Sequence, residues 1–90
     1  MNCDVIFDNK FKKSLKLVKK RGKNEEKLFT IMRLLAAGEK LPYRCNPHKL
    51  VGNHAGKWEC HIEPDRLLFY TITDNTLTLH DTGTHSDLFT

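Results

Sequence analysis

Two histidines and one aspartate are placed so that they could do chemistry together. His61 and Asp65 lie in Trp-Glu-Cys-His-Ile-Glu-Pro-Asp (58 to 65), and His85 lies in Thr-Gly-Thr-His-Ser-Asp-Leu-Phe (82 to 89), which closes on Phe89. Imidazole changes charge near neutral pH, and a carboxylate beside it can orient the ring or take up a proton. His48, in the segment before, could fold over the same end. Such a cluster, with no thiol nucleophile in it, suits proton transfer. Each residue alone has a plainer role: a histidine in a small basic domain is most often a surface group, Asp65 a turn former and Phe89 a core plug.

The elements that must position these residues follow from punctuation and period. Cys3 to Phe7 suits an edge strand. Asp8 or Asn9 can cap a helix, since a short side-chain oxygen accepts first-turn amides. Phe11, Leu15 and Val18 form one apolar stripe on that helix, and Gly22 ends it. Asn24, Glu25 and Glu26 open a second helix, because acidic groups favour the positive end of the helix dipole. Leu28, Ile31, Met32 and Leu35 form its buried face, and Gly38 stops it.

From Glu39 to Gly56 the chain reads as an irregular loop anchored by Leu41, Leu50 and Val51. Beyond it Trp58, Cys60 and Ile62 alternate with Glu59, His61 and Glu63, the period of a strand. Pro64-Asp65 makes a turn. Leu67 to Ile72 gives the next strand, Asp74-Asn75 another turn, and Leu77 to His80 a third strand. In this antiparallel meander the last strand can neighbour the middle one, which would bring His85 to the His61 end. Gly83 loosens the backbone just before it.

Composition limits the options. Ninety residues with 39% hydrophobic content suit one domain, 1–90, with one modest core. The formal charge is +4, and residues 9 to 24 hold eight Lys and Arg without one Asp or Glu. Lys12, Lys13, Lys16, Lys19, Lys20 and Arg21 therefore form a candidate surface for an anionic partner, although such a face is usually just solvated. Three cysteines without a disulfide spacing, and no leader pattern, fit a reducing cytoplasm. No apolar run approaches the roughly 20 residues of a membrane span. Zinc is disfavoured: Cys45-Asn-Pro-His48 lacks a ligand-pair spacing, and Cys60 and His61 would point to opposite faces of a strand.

His61-Ile-Glu-Pro-Asp65, an apolar strand and then Thr82-Gly-Thr-His85-Ser-Asp-Leu-Phe89 together resemble the signature of the YafQ branch of the RelE-type bacterial toxins, ribosome-dependent mRNA endonucleases of type II toxin–antitoxin pairs. The close match covers about residues 48 to 89. The resemblance implies an α+β, RelE-like fold: a short N-terminal strand and a two-helix hairpin packed on a small antiparallel β-sheet. It places catalytic positions on His48, His61, Asp65, His85 and Phe89. It also implies metal-independent attack of a ribose 2′-hydroxyl on the next phosphate, no cofactor, and as partners messenger RNA, the ribosome and a cognate antitoxin of the DinJ/RelB kind. On this basis Asp65 with His61 removes a proton, His85 supplies one, His48 meets the phosphate or assists the transfer, and Phe89 stacks on or positions a base.

The chain departs from that pattern at Asp81, where many relatives carry arginine. A carboxylate repels the phosphate that a guanidinium would clamp. Arg66, after Asp65, stands where relatives often have tryptophan and is a candidate replacement cation and RNA contact. The alternative function is a weakened or inactive module of the same fold that binds RNA or its antitoxin.

Overall fold

The computed structural model describes residues 3–22 and 24–89. Strand β1 (Asp4–Phe7) leads into helices α1 (Asn9–Lys20) and α2 (Glu26–Ala36). The two-residue strand β2 (His48–Lys49) follows, then β3 (Trp58–Glu63), β4 (Arg66–Thr73), β5 (Thr76–Gly83) and the single-turn helix α3 (His85–Leu88). All five strands form one sheet in the order β1-β5-β4-β3-β2. The β2–β3, β3–β4 and β4–β5 pairs are antiparallel, and β1 lies parallel to β5. The expected α+β architecture is therefore present, with one parallel pair added to the antiparallel meander.

Local chemistry explains most boundaries. Asp8 occupies the N-cap of α1, but its carboxylate makes no capping bond and instead pairs with His80 Nδ1 at 2.9 Å. Asn24 Oδ1 accepts the Glu26 amide at 2.8 Å, covering an orphan donor at the start of α2. Asp74 and Asn75, with φ of 50° and 60°, form the tight β4–β5 turn, a conformation their short polar side chains tolerate.

Both long helices cover one face of the sheet. Phe11 from α1 and Leu28, Ile31 and Leu35 from α2 close over Cys60, Ile62, Leu68, Tyr70, Leu77 and Leu79. Burial of this apolar surface is the main favourable term of the fold. The period-2 alternation sends Glu59 and His61 to the other face, beside Leu67 and Phe69, where a smaller cluster forms with Leu88 and half-buried Leu50. That second face carries the candidate site.

Three sequence expectations need correction. The last strand runs on to Gly83 rather than ending at His80: a bulge lets Phe69 pair with Asp81 and Tyr70 with Leu79, leaving His80 as the extra residue. Val51 does not anchor the loop, being 84% exposed; Cys45 is the fully buried residue there. The loop is also not wholly irregular, because His48 and Lys49 pair with Glu59 and Trp58.

Candidate active site

Pairing of β2 with β3 sets His48 directly opposite Glu59. His48 Nε2 lies 3.2 Å from Glu59 Oε1, and the same oxygen is 3.9 Å from His61 Nε2. The His48 and His61 rings are 6.4 Å apart, centre to centre. Glu59 is buried beneath both, while His48 and His61 keep open edges. His48 Nδ1 donates to the Asn46 carbonyl at 2.9 Å, so acceptors lie close to both its ring nitrogens. Sequence reasoning missed Glu59, although its position two residues before His61 on the same strand face was the available signal.

The other half of the site is built on α3. His85 Nδ1 donates to Asp65 Oδ1 at 2.6 Å, and the His85 backbone N–H donates to the same oxygen at 3.0 Å. These bonds, the backbone one first, hold the Asp65 carboxyl below the usual carboxylate range. Asp65 therefore pairs with His85, not with His61 as the sequence suggested. The His61 and His85 rings lie 6.0 Å apart, so His48, His61 and His85 form one continuous row.

A dense set of bonds fixes α3. Thr84 and Asp87 form a reciprocal capping box, with Thr84 N donating to Asp87 Oδ2 at 3.0 Å and Asp87 N donating to Thr84 Oγ1 at 3.2 Å. From the C-cap of α1, Arg21 grips both Asp87 oxygens at 2.8 and 3.3 Å. Arg21 first, then the Thr84 amide, push the Asp87 carboxyl down to about 2. Gly83, at φ +155°, admits the close approach: a Cβ there would stand 2.8 Å from Asp87 Oδ2.

Phe89 follows α3 and is 47% exposed. Its ring stacks on His85 at 6.2 Å and meets Phe69 and His54 edge-on, each at 5.5 Å. His54 was not anticipated; its loop has no periodic pattern that would mark it.

The arrangement is a rim of three imidazoles, each within reach of a carboxylate, with an aromatic platform at one end. Against known proteins, the profile of the family described as "Bacterial toxin of type II toxin-antitoxin system, YafQ" matches residues 3–90. The chain belongs to the YafQ family of toxins. It is 38% identical over 87 residues to the mRNA interferase toxin YafQ of Escherichia coli strain K12, spanning 96% of this chain and 95% of that protein. Crystalline YafQ from E. coli strain BL21(DE3) superposes with a TM-score of 0.93 at 36% identity, covering 98% of this chain and 99% of that one. In the E. coli DinJ–YafQ toxin–antitoxin complex the match has a TM-score of 0.91 at 36% identity over 100% of both chains. A metal-bound toxin from Helicobacter pylori gives 0.89 at 36% identity, over 97% and 99% of the two chains. The RelE-like fold expected from sequence is the fold of these YafQ structures.

Two residues expected to bear on phosphate binding, Arg66 and Asp81, have structural duties instead. Arg66 does not join the site: it is buried, and its guanidinium donates to the Asn24 carbonyl at 2.7 Å and to Glu63 at 2.8 Å. Strand period sends it to the helix-covered face beside Leu68, where, contrary to expectation, its guanidinium is spent on Asn24 and Glu63 rather than offered to RNA. Asp81 is buried as well; it accepts the Ser14 hydroxyl and the Thr82 amide and lies 3.6 Å from Lys10. Its carboxylate is a bracket between β5 and α1.

Among the basic residues expected on α1, Lys12, Lys13, Lys16, Lys19 and Lys20 are exposed, whereas Arg21 holds Asp87. Burial pushes the Cys60 thiol up to about 12 and raises that of Cys45, which leaves both poor nucleophiles. Among the described residues no three His, Cys, Asp or Glu side chains are grouped to hold a metal ion, and no helix is long and apolar enough to cross a membrane.

Proposed function

We propose that this toxin cleaves messenger RNA in the ribosomal decoding site, without a metal, by attack of a ribose 2′-hydroxyl on the adjacent phosphate. The observation that carries the proposal is the row His48, His61, His85 with Glu59 and Asp65 behind it. The attacking hydroxyl must lose a proton and the departing 5′-oxygen must gain one, and a pair of imidazoles at separate ends of the scissile group serves both needs. The products are a 2′,3′-cyclic phosphate and a free 5′-hydroxyl.

His61, with Glu59 close behind, takes the 2′-hydroxyl proton. His85, its ring fixed by Asp65, donates to the leaving oxygen. His48 faces the phosphate as charge builds on it. Phe89, half exposed beside His85, offers a face for base stacking. The lysines of α1 dock on ribosomal RNA, since phosphate contacts give affinity without reading sequence. A DinJ-like antitoxin, as in the solved E. coli complex, holds the toxin inactive in the cytoplasm where ribosomes work.

The test is cleavage of messenger RNA on programmed ribosomes. His85→Ala should lower the rate by roughly two orders of magnitude, and toxin dialysed against a chelator beforehand should keep full activity. An unchanged rate for His85→Ala removes it as the acid, and loss of activity on chelation refutes the metal-free route.

A further inference from the structure

A phosphodiester gaining charge beside His61 calls for a cation, and most basic groups near the site already have partners. Arg66 is bound to Glu63 and Asn24, Arg21 to Asp87, Lys10 to Asp81 and Lys27 to Glu63. Arg44 is different: it is exposed, and among the described residues it pairs with no carboxylate within 4.0 Å. The short turn Tyr43–Cys45 that carries it is pinned by fully buried Cys45.

The sheet edge explains why Arg44 stands where it does. Strand β2 covers only Trp58 and Glu59 of β3, so on the edge away from β4 the rest of β3 has no strand beside it among the described residues. A cleft of about 520 Å³ opens along that stretch, lined by Lys27, Arg44, His61, Ile62, Glu63 and Pro64. A second cavity of about 310 Å³ shares Lys27, Arg44 and Ile62 with it and extends to α2. One end of this groove is a histidine of the catalytic row; of the two carboxylates that line it, Glu63 is already bound by Lys27 and Arg66, and Glu26 lies at the far end in the second cavity.

We propose that Arg44 binds the phosphate next to the cleaved bond, and that the groove from His61 past Arg44 to Lys27 carries the RNA strand away from the histidine row. This rests on the nuclease reading above. A strand whose phosphodiester sits at His61 has to leave the site somewhere, and this groove begins there, with Arg44 as a cation that no carboxylate neutralises among the described residues while Lys27 is held by Glu63. A guanidinium suits the task because its planar fork binds phosphate through two parallel bonds.

Cleavage on programmed ribosomes across a salt series tests it. Arg44→Ala should lower kcat/KM about tenfold, the worth of one charge-assisted contact, and flatten the logarithmic salt dependence by about 0.7. Arg44→Lys should restore the salt slope while recovering only part of kcat/KM. Thermal unfolding of both variants should match the wild type, because Arg44 is exposed. If the wild type cleaves and Arg44→Ala keeps its kcat/KM and salt slope, the inference is overturned alone. The same holds if the substitution weakens only antitoxin binding, which would make the groove a seat for an acidic peptide. An inactive wild type overturns the nuclease reading and this inference with it.

Discussion

Asp65 Oδ1 accepts two hydrogen bonds from one residue, His85: the ring Nδ1–H at 2.6 Å and the backbone N–H at 3.0 Å. A single oxygen thus fixes both the start of α3 and the orientation of the imidazole it carries. Nε2 is left as the nitrogen that can exchange a proton with substrate. The β3–β4 turn and the chain end, separated by 20 residues, are locked at this point.

Asp65→Asn keeps the shape of the side chain but removes its charge and one of its acceptor oxygens. Messenger RNA cleavage should fall by about 10²-fold with little change in Tm, since the pair is solvent-exposed. A rate equal to wild type would show that Asp65 does not act through His85.

Acid should weaken the fold over a defined window. The folded-state carboxyls of Asp65 and Asp87 both lie below their ordinary value of 3.8, Asp87 at about 2. Each therefore adds stability that is present above pH 3.8 and is lost as pH falls through its folded value. The urea midpoint should drop between about pH 4 and about pH 2, and Asp87→Asn should flatten that drop. An unaltered pH profile in Asp87→Asn would contradict the role given to the Arg21–Asp87 clasp.

Asp81→Arg should not create a phosphate clamp. The wild-type carboxylate is buried and satisfies the Ser14 hydroxyl and the Thr82 amide. Leaving such donors unpaired costs about 1 to 3 kcal/mol, and placing a guanidinium there adds to the cost. The variant should melt several degrees lower, without a rise in cleavage per folded molecule. Higher specific activity would show that position 81 does reach the substrate.

Much of this could be seen in the sequence, for identifiable reasons. Strand period alone places His61 opposite in facing to Cys60 and Ile62, and helical spacing gives Phe11, Leu15, Val18, Leu28, Ile31, Met32 and Leu35 as core, all of them buried except Leu15 and Met32, which pack half-buried at its margin. The same period could have exposed two errors: Glu59 shares a face with His61, and Arg66 shares one with Leu68. Other features left no local trace. Strand β2 has two residues, too few to show a period, yet it delivers His48 to Glu59. The bulge at His80 is held by bonds to Asp8 and Thr71, each 2.9 Å, partners that no local pattern announces, so the strand's continuation through Asp81 to Gly83 is not visible in its period. His54 meets Phe69 and Phe89 only because the loop folds back.

The central proposal is that the imidazole row moves protons for attack by a ribose 2′-hydroxyl, and replacing that hydroxyl tests it most directly. Ribosomes carrying messenger RNA with a single 2′-deoxy residue at the cleavage position should resist the toxin there, while the all-ribose message yields fragments ending in a 2′,3′-cyclic phosphate. Cleavage of the deoxy-substituted message at the same position and rate would contradict it.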